Sequence, residues 1–404
     1  MDFEPANVVK ELSGNYFNAL KARIADYRSK GIDVIDLASG NPDQPTPQPI
    51  IDALKAAIDK PENQGYPPFY GKKSTLEAIA VFYEREYGVE LDPEHEVAVF
   101  TGSGIGVVGI PQSLLNPGDL MLTADPAYPA YHAAAQLAGA RVHTLPVYEE
   151  DGYLPEYGRV PEEILRQVKL LMLNYPNNPT GAVATGEFWE RTLELAARYK
   201  FPVLNDFAYG AFGFDGHKPL SLLQHADGKA YGIETYTVSK TYNMAGWRFG
   251  FAAGNASIIA ALKHYHTQAY STVFGAVQDA AAAALLGPQD AVRQLGSLYQ
   301  RRRDVLVERL RGIGWEVPAP QGTFFAWFKV PSGYTAETFA QRLLDEAQVA
   351  VAQGEGFGEQ GRQYVRLSLV NSEDRLNEAV DRIDAAGIFK QTVVTDLRGA
   401  AQHD

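Results

Sequence analysis

The feature that most constrains the fold is a regular alternation of apolar, strand-like runs with helical patterns between residues 96 and 204. The predicted strands are 96–101, 120–124, 140–147, 169–173 and 202–204. Strands without polar positions are buried on both faces, which is typical of a mostly parallel sheet covered by helices. Ligands of such sheets bind beyond the carboxyl ends of the strands. Polar residues that directly follow a strand are therefore the first candidates for a functional site.

The chain of 404 residues is too long for one ordinary hydrophobic core, which predicts two domains. The alternating pattern belongs to a large domain that we place at residues 46–288. A long helix near 289–312 is followed by short strands and two amphipathic helices, a mixture typical of a smaller α+β domain. We assign residues 1–45 and 289–404 to this small domain, because a helix near 16–30 can pack onto it. Residues 390–404 lack periodicity and are expected to form a loose tail.

Composition excludes several classes of function. A net charge of −13 argues against a nucleic-acid partner, and the lack of cysteine excludes disulfides and thiolate metal sites. The histidines are scattered, His264 and His266 are expected on a helix surface, and we predict no metal site. No apolar run is long enough to span a membrane and the first residues lack a signal-peptide pattern, so a cytoplasmic location is expected. The three arginines at 301–303 are expected to form a solvated helix face.

The segment around Lys240 carries the strongest local signal. A strand-like run at 231–238 leads into Ser239 and Lys240, and Arg248 precedes a second strand-like run. A buried lysine has a lowered pKa and can attack carbonyl groups, while an arginine beside hydroxyl side chains can bind a phosphate. The alternative is that Lys240 and Arg248 are solvated charges that flank a hairpin. From this segment alone the two interpretations are equally supported.

Further polar residues follow other predicted strands. Asp206 follows the strand at 202–204, with Tyr209 three residues later, and the loop 174–181 follows the strand at 169–173. A carboxylate at a buried strand end needs a cation or an N–H donor, although an aspartate can also simply cap a turn. Two prolines fix the backbone of the loop, so its asparagine side chains point in set directions. Gly102, Ser103 and Gly104 stand between a strand and a helix, where backbone N–H groups can bind an anion.

These segments, in this order, resemble the fold-type I pyridoxal phosphate aminotransferases of class I/II. The resemblance extends from about residue 36 to about residue 385 and rests on three motifs, which are Asn177-Asn178-Pro179-Thr180-Gly181, Asp206 with Tyr209, and Ser239-Lys240 with Arg248. It implies an α/β architecture, the pyridoxal phosphate-dependent transferase fold of type I. In that fold a large domain with a mostly parallel seven-stranded sheet between helices is joined to a smaller α+β domain.

The resemblance also implies roles for individual residues at the cofactor ring. Lys240 would bind the cofactor aldehyde covalently and then move a proton between the substrate and the cofactor. Asp206 would pair with the pyridinium nitrogen, and Asn178 and Tyr209 would hydrogen-bond the ring oxygen. Tyr128 matches an aromatic residue that stacks on the ring, although it could also be an ordinary core tyrosine.

The cofactor phosphate and the substrate complete the implied site. The residues implied for the phosphate are Ser103, Gly104, Thr237, Ser239 and Arg248, together with Tyr66, which in this family reaches the site of the other subunit. A homodimer with shared active sites is therefore implied. Arg366 would bind the substrate α-carboxylate, aided by Gly40 and Asn178, although Arg366 in an apolar strand could also form a structural ion pair. The segment 321–325 and the aromatic residues Tyr16, Phe17, Tyr70 and Phe324 would border the substrate side chain.

The resemblance predicts an aminotransferase that moves an amino group between an L-amino acid and a 2-oxo acid. The amino-acid sequence of residues 241–248 is most similar to that of enzymes that act on methionine, aromatic or diaminopimelate-type substrates. Carbon–sulfur lyases share the fold and the cofactor residues, so they are the nearest alternative. A more distant alternative is an NAD-dependent oxidoreductase, because Gly104, Gly106 and Gly109 satisfy the dinucleotide-binding pattern and Asp125 ends the next strand.

Overall fold

A computed structural model of the chain describes residues 1, 3–12 and 16–389. The tail predicted at 390–404 lies outside the described residues. The strands are β1 (Ile35–Asp36), β2 (Val97–Phe100), β3 (Leu120–Asp125), β4 (Arg141–Pro146), β5 (Val168–Leu173), β6 (Val203–Asp206), β7 (Gly232–Thr237), β8 (Gly250–Gly254), β9 (Phe325–Lys329), β10 (Val349–Ala350), β11 (Ala352–Gln353) and β12 (Tyr364–Ser368).

Helices connect and cover these strands. They are α1 (Asn7–Glu11), α2 (Tyr16–Ser29), α3 (Gln48–Ile58), α4 (Lys73–Tyr87), α5 (Ser103–Leu114), α6 (Ala130–Leu137), α7 (Glu162–Leu165), α8 (Gly186–Tyr199), α9 (Gly228–Tyr231), α10 (Val238–Thr241), α11 (Ala256–Ala269), α12 (Gly275–Leu286), α13 (Asp290–Gly312), α14 (Ala336–Ala347) and α15 (Glu373–Ala385). None of the described helices is long and apolar enough to cross a membrane.

The central sheet has seven strands in the order β2-β8-β7-β6-β5-β3-β4. Strand β8 is antiparallel to both of its neighbours, while the pairs from β7 to β4 are parallel. The predicted mostly parallel, seven-stranded sheet is therefore confirmed. The carboxyl ends of β5, β6 and β7 lie side by side, so the residues that follow them meet at one edge of the sheet.

The sequence explains why helices cover both faces of this sheet. In β5 every residue except Lys169 is buried, which leaves no face for solvent. Helix α8 buries Phe188, Trp189, Leu193 and Ala196 along one stripe, as the helical repeat requires. It begins where the Thr185 side chain accepts a hydrogen bond from the Phe188 N–H, an N-cap that satisfies a free amide of the first turn.

The C-terminal region forms a second, smaller α+β unit. Strands β11, β12 and β9 make an antiparallel sheet, and β1 pairs in parallel with β10. Ile24 of α2 and Val34 pack with Leu344 and Ala350, so the N-terminal helix contacts this region. The domain boundaries at residues 46 and 289 stay a prediction.

Three side chains that we expected on solvated helix faces are buried. Arg302 and Arg303 are only 3% and 4% exposed, because each forms an ion pair with an aspartate from elsewhere in the chain. His266 is 3% exposed and lies between the rings of Phe100 and Tyr270. The expectation was wrong for these three residues, because charge alone did not reveal partners distant in sequence. Arg301 and His264 are exposed, as expected.

Candidate active site

A cavity of about 490 Å³ lies beyond the carboxyl ends of the central strands. Twelve of the predicted site residues line it, namely Gly40, Ser103, Gly104, Tyr128, Asn178, Asp206, Tyr209, Thr237, Ser239, Lys240, Arg248 and Arg366. Residues separated by more than 300 positions in sequence therefore meet at one site. Among the described residues, no cluster of three or more His, Asp or Glu side chains could hold a metal ion.

Lys240 lies in the short helix α10 that directly follows β7, whereas we had expected it at the end of a longer strand. The Thr237 side chain begins this helix by accepting a hydrogen bond from the Ser239 N–H at 3.1 Å. Lys240 Nζ donates to the Gly40 carbonyl oxygen at 2.9 Å. Burial, followed by the positive charges of Arg366 and Arg248, lowers the Lys240 pKa from 10.5 to about 8. A fraction of this amine is thus neutral and nucleophilic near neutral pH.

Asp206 is the last residue of β6, and its carboxylate is buried at the cavity wall. It accepts hydrogen bonds from the Tyr131 hydroxyl at 2.8 Å and the Thr235 hydroxyl at 3.0 Å. Burial raises the Asp206 pKa, and these two donors and the Lys240 charge oppose the rise. The carboxylate forms no ion pair within the described part of the chain. It is therefore suited to hold a cationic N–H group of a ligand in the cavity.

Asn174, Asn177 and Asn178 have fixed side-chain directions, as the proline-containing loop predicted. The Asn174 side chain donates to the Asp206 carbonyl oxygen and accepts from the Asn178 N–H at 2.8 Å. The Asn177 oxygen accepts from the Thr180 N–H at 3.0 Å and from its hydroxyl at 2.8 Å. All of these residues are buried. The Asn178 side chain is consequently held at a defined point of the cavity.

Arg366 is a buried cation on β12. Its Nη1 donates to the Asn178 side-chain oxygen and its Nη2 to the Ala38 carbonyl oxygen, both at 2.8 Å. The guanidinium carbon lies 3.9 Å from the Phe325 ring centroid and 4.8 Å from that of Phe357. Burial lowers the Arg366 pKa to about 10, so the side chain stays charged at neutral pH.

This cation forms no ion pair with the part of the chain that the structure describes. No Asp or Glu of the described residues forms a salt bridge with Arg366, and its buried Nε has no hydrogen-bond partner. A buried guanidinium is stabilised most by a carboxylate or phosphate that it can bind with two parallel hydrogen bonds. The alternative of a structural ion pair is therefore wrong, and a ligand anion fits the position.

Ser103, Gly104 and Arg248 form a second possible anion site in the cavity lining. Helix α5 begins at Ser103 without a side-chain cap, so its first turn can offer N–H groups. A side chain at Gly102 would lie 2.3 Å from the Arg248 Nη2, and one at Gly250 would lie 2.3 Å from the Ser103 nitrogen. Gly102 therefore lets the guanidinium approach the helix start, and Gly250 lets the helix start approach β8. A phosphate group fits this cup.

Some predicted residues lie elsewhere. Tyr66 is fully exposed and does not line the cavity. Tyr70 and Phe324 do not line it either, because the Tyr70 ring lies near Lys263 and Phe324 is buried in the core behind Lys240. Tyr16 uses its hydroxyl to accept a hydrogen bond from the Gln353 N–H at 2.7 Å, outside the lining. Only Phe17 of the four predicted aromatic residues lines the cavity.

One residue that sequence analysis missed supports the site. Tyr131 donates to Asp206 across 75 positions of sequence. Phe325, which belongs to the predicted segment 321–325, lies against Arg366. Tyr131 stands one helical turn after Tyr128, and their ring centroids are 5.8 Å apart. That spacing was the one signal that could have drawn attention to Tyr131.

The positions of Gly104, Gly106 and Asp125 contradict the dinucleotide-binding interpretation. Gly104 and Gly106 lie inside helix α5, where the pattern requires a tight turn before the helix. The Asp125 carboxylate accepts a hydrogen bond from the Gln360 N–H at 3.2 Å, which is a structural contact with the smaller α+β unit. The glycines therefore do not form the turn that binds the NAD pyrophosphate, and Asp125 is engaged in a contact within the protein. The alternative of an NAD-dependent oxidoreductase is wrong.

The sequence matches the family model described as aminotransferase class I and II over residues 32–383. The chain belongs to this family. It is 51% identical to an L-glutamine–4-(methylsulfanyl)-2-oxobutanoate aminotransferase of Bacillus subtilis, over 97% of this chain and 98% of that protein. It is 42% identical to an LL-diaminopimelate aminotransferase of Desulforudis audaxviator, over 95% and 98% of the two chains.

Solved structures of this family have the same fold. The substrate-bound structure of BacF from Bacillus subtilis superposes with a TM-score of 0.91 at 41% identity, over 95% of this chain and 98% of that one. An aspartate aminotransferase mutant of Thermus thermophilus gives a TM-score of 0.89 at 30% identity, over 95% and 100%. This aminotransferase therefore has the type I fold and uses pyridoxal phosphate.

The cavity fits that cofactor and its reaction. Pyridoxal phosphate carries an aldehyde, a ring nitrogen and a phosphate, and the cavity presents Lys240, Asp206 and the Ser103–Arg248 cup to such groups. The relatives named above are aminotransferases, which supports amino transfer and not carbon–sulfur bond cleavage as the reaction. The predicted class of enzyme and cofactor are thus confirmed.

Proposed function

We propose that this aminotransferase moves the amino group of L-glutamine to 4-(methylsulfanyl)-2-oxobutanoate, the 2-oxo acid that corresponds to methionine. The observation that carries the proposal is the buried Arg366 cation, which has no ion-pair partner among residues 1, 3–12 and 16–389 and faces the same cavity as Lys240. Every amino acid and 2-oxo acid brings the α-carboxylate that this cation needs. The identity of 51% to the Bacillus subtilis enzyme named for these two compounds supports the choice of substrates.

The surroundings of Arg366 suit an uncharged side chain. Phe17, Leu20, Ile24 and Phe325 line the cavity, and Phe17 and Phe325 lie on the guanidinium of Arg366. A thioether side chain gains from apolar and aromatic neighbours, because it is polarizable and buries apolar area there.

A diaminopimelate-type substrate is the second candidate. Lys21 and Asp36 line the same cavity, and these opposite charges could bind the distal ammonium and carboxylate of such a compound. The identity of 42% to an LL-diaminopimelate aminotransferase supports this candidate less strongly.

In this proposal Lys240 is the nucleophile and the proton carrier. With its pKa lowered to about 8, the amine would hold the cofactor through its aldehyde, with loss of water. Once the substrate amino group has displaced it, the free amine would take the proton from the substrate Cα. The Gly40 carbonyl, at 2.9 Å from Nζ, orients the amine. When bound, pyridoxal phosphate supplies a ring that accepts the electrons left at Cα.

Three side chains would control the protonation and hydrogen bonding of the cofactor ring, namely those of Asp206, Tyr209 and Asn178. The Asp206 carboxylate would hold the ring nitrogen in its protonated form, and Tyr131 and Thr235 fix the carboxylate for this task. The Tyr209 hydroxyl and the Asn178 amide would donate to the ring oxygen.

The remaining predicted residues would bind the ring face, the phosphate and the substrate. Tyr128 would stack on the ring, and Arg366 with Gly40 and Asn178 would bind the substrate carboxylate. The phosphate would be held by Ser103, Gly104, Thr237, Ser239 and Arg248.

The proposal includes a homodimer in which Tyr66 reaches the phosphate of the partner's site. Support comes from the complete exposure of Tyr66, which lies on a loop with two further exposed aromatic residues, Phe69 and Tyr70. Mixing inactive Tyr66→Ala and Lys240→Ala dimers should restore part of the activity through hybrids. No recovery under conditions of demonstrated subunit exchange would contradict the shared site. A cytoplasmic location also belongs to the proposal and rests on the sequence-based expectation alone; cell fractionation tests it.

The substrate proposal can be tested by isotope transfer. The holoenzyme is incubated with glutamine labelled with heavy nitrogen at the α-amino group and with 4-(methylsulfanyl)-2-oxobutanoate, and the products are analysed by mass spectrometry. Formation of labelled methionine, with a higher kcat/KM for glutamine than for diaminopimelate as the amino donor in a parallel reaction, supports the first candidate. A higher kcat/KM for diaminopimelate would favour the second candidate. Amino transfer from neither donor would contradict both.

A further inference from the structure

Arg302 on α13 is a buried arginine that joins two distant parts of the chain. Its Nη1 and Nη2 donate to the two Asp43 carboxylate oxygens at 2.9 and 2.7 Å. Its Nη1 also donates to the Leu369 carbonyl oxygen at 3.0 Å. The Arg302 side chain is 4% exposed and that of Asp43 is 24% exposed. Burial has the largest single effect and favours the neutral form of Asp43, but the hydrogen bonds and charge of Arg302, with smaller help from Gln44 and the backbone, together lower the Asp43 pKa.

The two parts joined by Arg302 are the two sides of the proposed carboxylate site. Asp43 ends the segment 36–43, which contains Ala38 and Gly40. Leu369 directly follows β12, the strand that carries Arg366. A single guanidinium therefore ties the segment 36–43 to the strand of the carboxylate-binding arginine.

The segment 36–43 also touches both functional cations. The Ala38 carbonyl oxygen accepts from Arg366 Nη2 at 2.8 Å, and the Gly40 carbonyl oxygen accepts from Lys240 Nζ at 2.9 Å. A side chain at Gly40 would lie 2.7 Å from the Phe325 ring, so the segment is packed closely against the aromatic residue beneath Arg366. Little room is left for the segment to move without displacing its contacts with the cations.

We propose that Asp43 and Arg302 are positioning residues for the substrate carboxylate, which act by holding the segment 36–43 against the strand of Arg366. The inference rests on the proposed function in one respect, namely that Arg366 binds the α-carboxylate. Neither residue lines the cavity, so their effect passes through Ala38 and Gly40.

The next residue of the same helix provides a matched control. Arg303 binds both carboxylate oxygens of Asp215 at 2.7 Å, and its side chain is 5% exposed. Asp215 does not line the cavity. Arg303 also pairs with Asp304 at 2.6 Å, and the Asp215 side chain is 59% exposed. Asp43→Asn and Asp215→Asn thus each remove one carboxylate charge from a buried arginine of α13, but only the first pair touches the segment 36–43.

The test measures carboxylate binding to the holoenzyme. The probe is 4-(methylsulfanyl)butanoate, which has the carboxylate but no amino or oxo group and so cannot react. Its dissociation constant is measured from competition with the amino-acid donor, along with KM, kcat and the thermal unfolding midpoint. We expect Asp43→Asn to raise the dissociation constant and KM by about tenfold with a smaller change in kcat, since small displacements of binding groups weaken binding strongly. Asp215→Asn should leave both constants at the wild-type value even where it lowers the unfolding midpoint.

Two further variants keep the test decisive if Asp43→Asn does not fold. Thr46→Val removes the hydrogen bond of 2.7 Å from the Thr46 hydroxyl to the Asn243 carbonyl, which anchors the chain three residues after the segment 36–43 without an ion pair. It should weaken probe binding in the same direction, though by less. Arg302→Lys keeps the charge but loses the paired hydrogen bonds, so its affinity should lie between those of the wild type and Asp43→Asn.

The outcomes separate this inference from the proposed function. Wild-type affinity in both Asp43→Asn and Thr46→Val would overturn the inference, and so would an equal loss of affinity in Asp215→Asn. In both cases probe binding by the wild type would leave the proposed role of Arg366 intact. If the wild type binds neither the probe nor the amino-acid donor, the role of Arg366 and this inference fall together.

Discussion

Two buried carboxyl groups on the neighbouring strands β6 and β7 differ in how their hydrogen-bonding capacity is used. Glu234 accepts from the Ser221 hydroxyl at 2.7 Å, the Leu222 N–H at 2.8 Å, the Asn205 amide at 3.1 Å and the Tyr83 hydroxyl at 3.1 Å. Both of its oxygens are thus satisfied within the protein. Asp206 accepts from two hydroxyl groups and faces the cavity.

The difference follows from the alternation of side chains along a strand. Glu234 pairs with Asn205 in the sheet, and Asp206 is the next residue, so the side chains of Asn205 and Asp206 point to opposite faces. Burial raises the pKa of both carboxyl groups, that of Glu234 to about 7. A raised pKa therefore does not mark a functional carboxylate by itself. The informative sign is a buried carboxylate that lies at a cavity and has room for another donor.

The largest expected effect is that of Asp206→Ala on turnover. Without this carboxylate the ring nitrogen of the cofactor loses the group that keeps it protonated, and kcat should fall by about 10³-fold, the size typical of lost electrostatic stabilisation. The unfolding midpoint should change little, because the carboxylate pairs with few protein groups. Steady-state kinetics and thermal unfolding measure the two quantities. Wild-type turnover would contradict the role of Asp206.

Glu234→Ala should show the opposite pattern. The change leaves four buried donors without an acceptor and opens a cavity, which should lower the free energy of unfolding by about 3 kcal/mol. The kcat of the folded enzyme should stay within about twofold of the wild type, since losses of stability and of transition-state binding are separate. Denaturant unfolding and kinetics on the same preparations test this. A loss of kcat like that of Asp206→Ala would remove the distinction between the two carboxyl groups.

The pH dependence of stability gives a smaller and more specific test of Glu234. Burial raises its pKa from 4.5 to about 7, so between these pH values the folded protein holds a proton that the unfolded chain has released. Stability should therefore fall as the pH rises from about 4.5 to about 7. Denaturant unfolding at several pH values should show this slope in the wild type and a weaker slope in Glu234→Gln. Parallel curves for the two proteins would show that Glu234 does not titrate there.

The smallest expected effect is on the reactivity of Lys240. Its pKa of about 8 predicts that the apoenzyme reacts with pyridoxal phosphate faster as the pH rises through 8. The negative charge of Asp206 raises this pKa, so Asp206→Asn should shift the midpoint down by less than about one unit, whereas Glu234→Gln should leave it in place. Borohydride trapping and mass spectrometry at a series of pH values measure the rate. Equal shifts of the midpoint in Asp206→Asn and Glu234→Gln would contradict the distinction between the two carboxyl groups.

The positions of the functional residues at strand ends could be predicted from the sequence, but the partners of the buried charges could not. The apolar strands placed Asn178, Asp206 and Lys240 at one edge of a mostly parallel sheet, because each follows a strand of the alternating pattern. The partners of buried charges could not be predicted. Tyr131, which donates to Asp206, and Asp43, which pairs with Arg302, are ordinary residues that lie 75 and 259 positions from their partners.

The aromatic residues predicted to border the substrate were harder to place than the polar residues that follow the strands. Phe17 lines the cavity, but Tyr16, Tyr70 and Phe324 do not. An aromatic residue in a loop can point into a cavity or into the core, and its sequence neighbours do not determine which. Phe324 and Phe325 show this directly, since consecutive residues point to opposite sides and only the second lines the cavity.

The most direct test of the central claim is a titration of the holoenzyme with L-glutamine in the absence of any 2-oxo acid. If Lys240 and Asp206 support amino transfer, the visible absorption band of the bound cofactor should disappear. One equivalent of the corresponding 2-oxo acid should form per active site without ammonia, and 4-(methylsulfanyl)-2-oxobutanoate should restore the band. Continuous release of ammonia without an acceptor would contradict the account, as would a protein that shows no band after addition of pyridoxal phosphate.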